Sequence, residues 1–244
     1  MNFYGYSERG MLLSLAIDLY TLRNRKEILE KILFKIDFID AFLKFPDFDD
    51  FDIYFEQSFS DFGDSDLFII LKNANQTVCN IFIEAKVNSW LSSKWKSERE
   101  LIEFQNFSTE QLNSSNLFTQ LYHKMVLMKT INEDKHFMAK LKMGVEVRSD
   151  SKKQTRKIGN IQLIHKIVLE EIAKGEGLTY YIGLIPKNDF KKSDFNYKDD
   201  FWSLHNLGFL TYKSIKNILE KEVKKDSVFL VNFERNKDRI VVIE

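Results

Sequence analysis

Between residues 67 and 87 two apolar runs, Leu67–Leu71 and Val78–Val87, are separated by the turn-forming residues Asn73-Ala74-Asn75-Gln76. Such a pattern reads as two adjacent strands joined by a hairpin. The second strand contains Ile81-Phe82-Ile83 and so belongs in a sheet interior, where a charge is costly unless a partner or a metal compensates it. Glu84 and Lys86 nevertheless interrupt this run. Because side chains alternate along a strand, those two share one face while Ala85 takes the other, and the hairpin brings Asp66 alongside from the mouth of the first strand.

The segments around this hairpin fix the fold class. From Ser7 to about Leu43 apolar residues recur at three-and-four spacing, which predicts two helices, the first capped by Ser7 and the two separated at Asn24. Ile53–Phe59 reads as an earlier strand, and Gly63 marks a bend. Residues 88–115 are polar and read as a mobile or partly helical insertion, whereas Asn116–Ile131 reads as an amphipathic helix with Leu117, Leu121, Met125 and Met128 on one face. Further on, Lys142–Val147 is expected as a strand, Ser149–Lys157 as a basic loop, Ile158–Ala173 as a helix and Leu178–Ile185 as a strand that Pro186 ends. After a polar loop come a helix from about Tyr212 to Lys224 and a final strand Val228–Phe233 with a partner at Arg239–Ile243. The expectation is one α/β domain over residues 1–244, with a central mixed sheet of four to five strands flanked by helices.

Composition narrows the function classes. The 244 residues are 44% hydrophobic, enough for a sizeable core, and 36 basic residues offset 36 acidic ones, so no global field advertises a polyanionic partner. Cys79 is the only cysteine, which excludes an intrachain disulfide and a cysteine-cluster zinc site and fits a reducing cytoplasm. Glu8, Arg9 and Asp18 break the N-terminal apolar stretch, which argues against a secretion signal. No apolar run approaches the roughly 20 residues needed to span a bilayer, so no membrane partner is expected.

Asp66, Glu84 and the backbone carbonyl of Ala85 offer oxygen ligands suited to a hard divalent cation such as magnesium, for which manganese is expected to substitute. Lys86 beside them can orient or deprotonate a water, or steady charge on a phosphate. Here the sequence resembles the PD-(D/E)xK nuclease superfamily, with its restriction-endonuclease-like three-layer core. That family's signature is an acid opening one strand and a Glu-x-Lys on its neighbour. Asp66, Glu84 and Lys86 match it, with Ser65 in place of the usual proline and Asp64 as a competing acid. The resemblance also implies a metal-directed role for Glu8 on the first helix and a water- or phosphate-positioning role for Gln120, with Tyr122 two residues on. It spans roughly Glu8 to Leu219 and implies metal-dependent hydrolysis of phosphodiester bonds, typically in DNA, in restriction, repair or phage defence. The alternative is a catalytically silent nuclease-fold module that binds nucleic acid or a protein partner.

Each candidate also has a plainer reading. The charged trio could be an exposed ion-pair cluster worth roughly 0–1 kcal/mol. Arg148, Lys152, Lys153, Arg156 and Lys157 suit phosphate contacts or a solvated loop. Lys94, Lys96 and Arg99, interleaved with Trp90 and Trp95, offer a second nucleic-acid candidate, with core packing of the tryptophans as the other reading. His123, His136, His165 and His205 are too dispersed in sequence to suggest a metal pair. The acidic stretch Asp47–Asp66 lacks the spacing of a calcium loop, and a DNA-mimic role for it is the remaining option. A homodimer is admitted by the sequence but not argued by it.

Overall fold

The computed structural model describes residues 7–40, 43–88, 95–106, 115–143, 145–150, 155–158, 163–175, 178–186, 206–223 and 227–240. The chain is α/β. Its main sheet has six strands in the order β1-β8-β7-β4-β3-β2: β1 Asp37–Phe38, β2 Asp50–Ser58, β3 Asp64–Asn73, β4 Gln76–Ala85, β7 Leu178–Ile185 and β8 Leu207–Thr211. A separate two-stranded ribbon pairs β5 Val147–Asp150 with β6 Thr155–Ile158. The main sheet therefore exceeds the expected four to five strands. The two-residue β1 and the short β8 supply the excess, each too brief to leave a strand period of its own.

The hairpin expected between residues 67 and 87 is present. Ala74 and Asn75 both have left-handed φ (49° and 63°), the conformation a two-residue hairpin turn demands. Asp49 Oδ2 accepts the Ala74 N–H at 2.9 Å and holds the turn. β2 pairs antiparallel with β3 from Asp50↔Lys72 to Ser58↔Asp64.

By its internal contacts the chain divides into two compact units. One comprises Met1–Phe45, Ile83–Lys96 and Ile182–Glu244. Here helix α1 (Ser7–Thr21) buries Met11, Leu12, Leu15 and Leu19, and α2 (Arg25–Leu33) buries Ile28, Leu29, Ile32 and Leu33. The helical pattern stops there, short of Leu43, because Phe38 and Asp37 pair with Gly208 and Phe209 of β8. A Cβ on Gly208 would come within 2.5 Å of Ile36 Cγ2, so this approach requires glycine. Helix α7 (Tyr212–Glu222) follows β8, and the Thr211 hydroxyl accepts the Ser214 N–H at its start.

In the same unit the expected strand Val228–Phe233 is a helix, α8 (Val228–Arg235); of its expected partner, Arg239 and Ile240 close the short helix α9 (Lys237–Ile240) and the rest lies outside the described residues. The run VFLVNF is rich in β-favouring residues, yet Phe229, Asn232 and Phe233 are buried while Val231 is 43% exposed, a helical period. Tertiary partners decide it. Asp18 on α1 accepts the Ser227 Oγ–H at 2.5 Å, the Val228 N–H at 2.8 Å and the Phe229 N–H at 3.0 Å, satisfying the first donors of α8. Ser14 accepts from Asn232 Nδ2 at 2.5 Å one turn further along.

The other unit comprises Pro46–Phe82 and Ser97–Tyr181. Phe59, Phe68, Phe82 and Tyr181 form its aromatic centre, with ring centroids 4.6 Å apart for Phe68–Phe82 and 5.9 Å for the stacked Phe82–Tyr181. Each such pair adds about 0.5–1.5 kcal/mol beyond its area burial. Cys79 is fully buried, as a small apolar residue would be. Helix α3 (Ser97–Asn106) lies within the polar insertion. Helix α4 (Leu117–Glu133) begins where Asn116 Oδ1 accepts the Thr119 N–H at 3.1 Å. The anticipated face of α4 is buried, but so are Phe118, Tyr122, His123, Lys124 and Val126, so the helix is enclosed on most sides rather than on one.

The remaining corrections fall downstream of α4. Lys142–Val147 is not a strand: a short helix α5 (Phe137–Lys142) buries Phe137 and Leu141, and β5 begins only at Val147. The basic loop is instead the β5–β6 ribbon, and helix α6 runs Leu163–Lys174 rather than from Ile158, which closes β6. The late polar loop lies outside the described residues. No described helix is long and apolar enough to cross a membrane.

Burial raises the Asp18 carboxyl above the ordinary carboxylate range, although three hydrogen bonds oppose the shift. A raised folded-state value means the folded chain binds the proton more tightly than the unfolded one. Stability should therefore fall as pH rises from the unfolded-state value through the folded one. In urea unfolding between pH 3.5 and 7 (roughly the carboxylate range and above) the stability of wild type relative to Asp18→Asn is expected to fall as pH rises, His123 acting alike in both proteins. Asp18→Ala is expected to cost about 1–3 kcal/mol through the orphaned donors of α8.

Candidate active site

β4 carries Glu84 near its end, and its buried neighbours Ile83 and Ala85 hold the strand in the sheet interior. Glu84 is 0% exposed and Lys86, just beyond the last strand residue, is 7% exposed. Their spacing of two puts both on one side of the strand path. The Lys86 N–H donates to the Leu184 carbonyl at 2.8 Å, so bonding toward β7 continues past Ala85 and fixes the backbone at the lysine. For Glu84 and Lys86 the exposed ion-pair reading is thereby corrected, since neither charge faces solvent.

Glu8, in the first turn of α1, reaches the same strand end. Its Oε1 accepts the Val87 N–H at 3.1 Å. A carboxylate from the first helix thus arrives one residue after the Glu-x-Lys segment. Asn88, 3% exposed, follows directly and accepts the Trp95 N–H through Oδ1 at 2.8 Å, which pins the two ends of the segment 88–95. Asn88 carried no signal in the sequence beyond being polar in a polar stretch.

In the other unit, Asp66 is half-buried in β3 and the competing Asp64 is exposed. Asp66 stands two residues before Phe68 and so takes the side of the strand that carries the aromatic centre. The β2–β3 register, flanked by Phe55↔Leu67 and Gln57↔Ser65, sets Glu56 opposite Asp66. Glu56 has φ +48°, which interrupts regular pairing at that position. Two acids opposite one another on adjacent strands were not anticipated. Only the register, not the acid-rich composition of Asp47–Asp66, could have revealed the pair.

Gln120 lies half-buried in the first turn of α4, and Tyr122 packs against Phe104 with centroids 5.6 Å apart. Its neighbour His123 is 5% exposed. Burial, reinforced by the positive charges of Arg156 and Lys124, lowers its imidazole to about 3. His136 and His165 sit on other elements, and His205 lies outside the described residues.

Among the described residues, the basic candidates Arg148, Arg156, Lys157 and Arg99 are engaged. Arg148 Nε and Lys157 Nζ both meet Glu146, at 2.7 and 3.1 Å, and Arg156 Nη1 donates to the Asp61 carbonyl at 2.5 Å. Arg148 and Lys157 are directly opposed in the β5–β6 register, so Glu146 relieves a like-charge pair. In the second candidate group Arg99 pairs with Glu103 at 2.8 Å. Lys152, Lys153, Lys94 and Trp90 lie outside the described residues.

Among the described residues no group of three or more His, Cys, Asp or Glu side chains is gathered as a metal centre. Magnesium does not demand one, since it commonly keeps several waters and takes one or two carboxylates plus substrate phosphates. The donor chemistry at the end of β4 fits such an ion. Glu84 and the Ala85 carbonyl offer oxygen ligands, and the carboxylate of Glu84 is shielded from water, a placement that a cation favours. Comparison of the chain with protein-family models, with curated proteins and with solved structures finds no match.

His123 supplies a check on the α4 environment. Its folded value lies below the unfolded one near 6.5, so its contribution to stability is present above that pH and is lost as pH falls toward about 3. In proton NMR one imidazole C2–H resonance, absent from His123→Gln, is expected to stay fixed from neutral pH to roughly one unit above the folded value. Movement with a midpoint near 6.5 would refute this placement.

Proposed function

We propose that the chain is a divalent-metal-dependent nuclease acting on phosphodiester bonds of nucleic acid, with DNA as the first substrate to test. One observation carries the reading. Glu84 and Lys86 are buried two residues apart at the end of a central strand, and the Glu8 carboxylate is bound to the peptide N–H that follows them. A carboxylate and an ammonium removed from water at such a place are characteristic of a site with perturbed charge, more than of a solvated ion pair.

Glu84 and the Ala85 carbonyl would hold magnesium, and the sequence resemblance adds Asp66 to the ligand set. Manganese would serve in its place. When bound, the ion supplies Lewis-acid charge at the scissile phosphate. Lys86 orients the attacking water through its ammonium and offsets charge gathering on the phosphate oxygens. Glu8 holds the strand end through Val87 and thereby fixes the direction in which Lys86 leaves the backbone. Gln120 offers a neutral carboxamide donor from the first turn of α4, suited to a phosphate oxygen or a water.

The reading is tested with linear and circular DNA in magnesium, manganese or EDTA. Wild type is expected to cleave only with metal, and Glu84→Ala to lose on the order of a hundredfold or more in rate. Equal residual cleavage by both proteins sinks the assignment. DNA retained but never cleaved under any metal would instead favour a silent nuclease-fold binding module.

A further inference from the structure

Lys124 stands out among the charged side chains of α4. It is 0% exposed, and its Nζ donates to the Phe62 carbonyl at 2.9 Å and the Asp64 carbonyl at 3.0 Å. Between those carbonyls sits Gly63 with φ +78°, a conformation open to glycine and strained for other residues. A Cβ there would lie 3.4 Å from the Lys124 ammonium. The preceding 3₁₀ turn, Ser60–Phe62, is tied in the same way, since Arg156 of β6 donates to the Asp61 carbonyl. One buried ammonium therefore grips both sides of the bend from which β3 departs, two residues before Asp66.

Desolvating a lysine is expensive, so bonds from its buried ammonium hold this bend firmly. Precision at the start of β3 matters to the proposed reaction, because a carboxylate displaced by about 1 Å can lose on the order of a hundredfold in a reaction that depends on its placement.

We infer that Lys124 is a positioning residue that sets the metal-binding carboxylate of Asp66 by clamping the Phe62 and Asp64 carbonyls about Gly63. The inference rests on the nuclease reading and can fail separately from it. Manganese alone is titrated into the full chain and followed by electron paramagnetic resonance of the free ion. Wild type, Asp66→Asn, Lys124→Met and Gly63→Ala are compared, each first checked for a cooperative melt. Wild type is expected to bind and Asp66→Asn to lose binding. Lys124→Met and Gly63→Ala are each expected to weaken binding about tenfold, the range seen when groups supporting a metal ligand are removed. DNA affinity in EDTA should stay unchanged in both, which general damage to the fold would not allow. If wild type binds no manganese, both the metal site and this inference fall. If wild type and Asp66→Asn differ as expected while folded Lys124→Met titrates like wild type, only the inference is overturned. Should Lys124→Met not fold, Gly63→Ala decides it, since that variant keeps the ammonium and disturbs the bend.

Discussion

Charge taken out of water is the constraint around which this structure is organised. A buried ionised group without compensation costs several kcal/mol even after relaxation, so each one has to be met by dipoles or opposite charge. Asp18 is met by a hydroxyl and two peptide N–H groups at the start of α8, Lys124 by two carbonyls at the bend before β3, and Glu8, only part-buried, by the peptide N–H of Val87. In every case the partner is backbone or backbone-adjacent and lies far away in sequence. The consequence is structural as much as energetic. Asp18 fixes where α8 begins, Lys124 the bend two residues before Asp66, and Glu8 the backbone just after Lys86.

That same feature explains which parts of the fold were legible in the sequence. The β3–β4 hairpin, α1, α4 and β7 announce themselves through local period and turn chemistry, and the structure has them within a few residues of the expected limits, whereas α2 ends at Leu33, well short of the expected Leu43. The anomaly of Glu84 and Lys86 within an apolar run was legible for the same reason, and both are buried. Val228–Phe233 was not legible. Its residues favour strand, and the helix is secured by Asp18, a partner no local window contains. Lys124 escaped notice likewise, because an isolated lysine in an apolar helix looks like a break in the buried face until its two carbonyl acceptors are seen. Glu56 became visible only when the β2–β3 register set it opposite Asp66.

The basic ribbon shows why charge runs read poorly from sequence alone. Arg148 and Lys157 look like two free cations, yet the register opposes them and Glu146 binds both, leaving a net of one positive charge from three residues. Arg156 is half-buried and committed to the turn before β3. Little of this stretch, among the described residues, remains as an uncompensated field for a polyanion. Each neutralised phosphate releases counterions and steepens the salt dependence of binding, so a surface with few uncompensated cations gives shallow dependence. Combined with 36 basic against 36 acidic residues, this would move the burden of selecting a polyanion, were one the substrate, away from long-range attraction. Under the proposed reaction it falls on the buried groups at the end of β4, which act only on a phosphate already in reach. Recognition and chemistry would then share one small set of residues, and placement of those residues, more than surface charge, would set the rate.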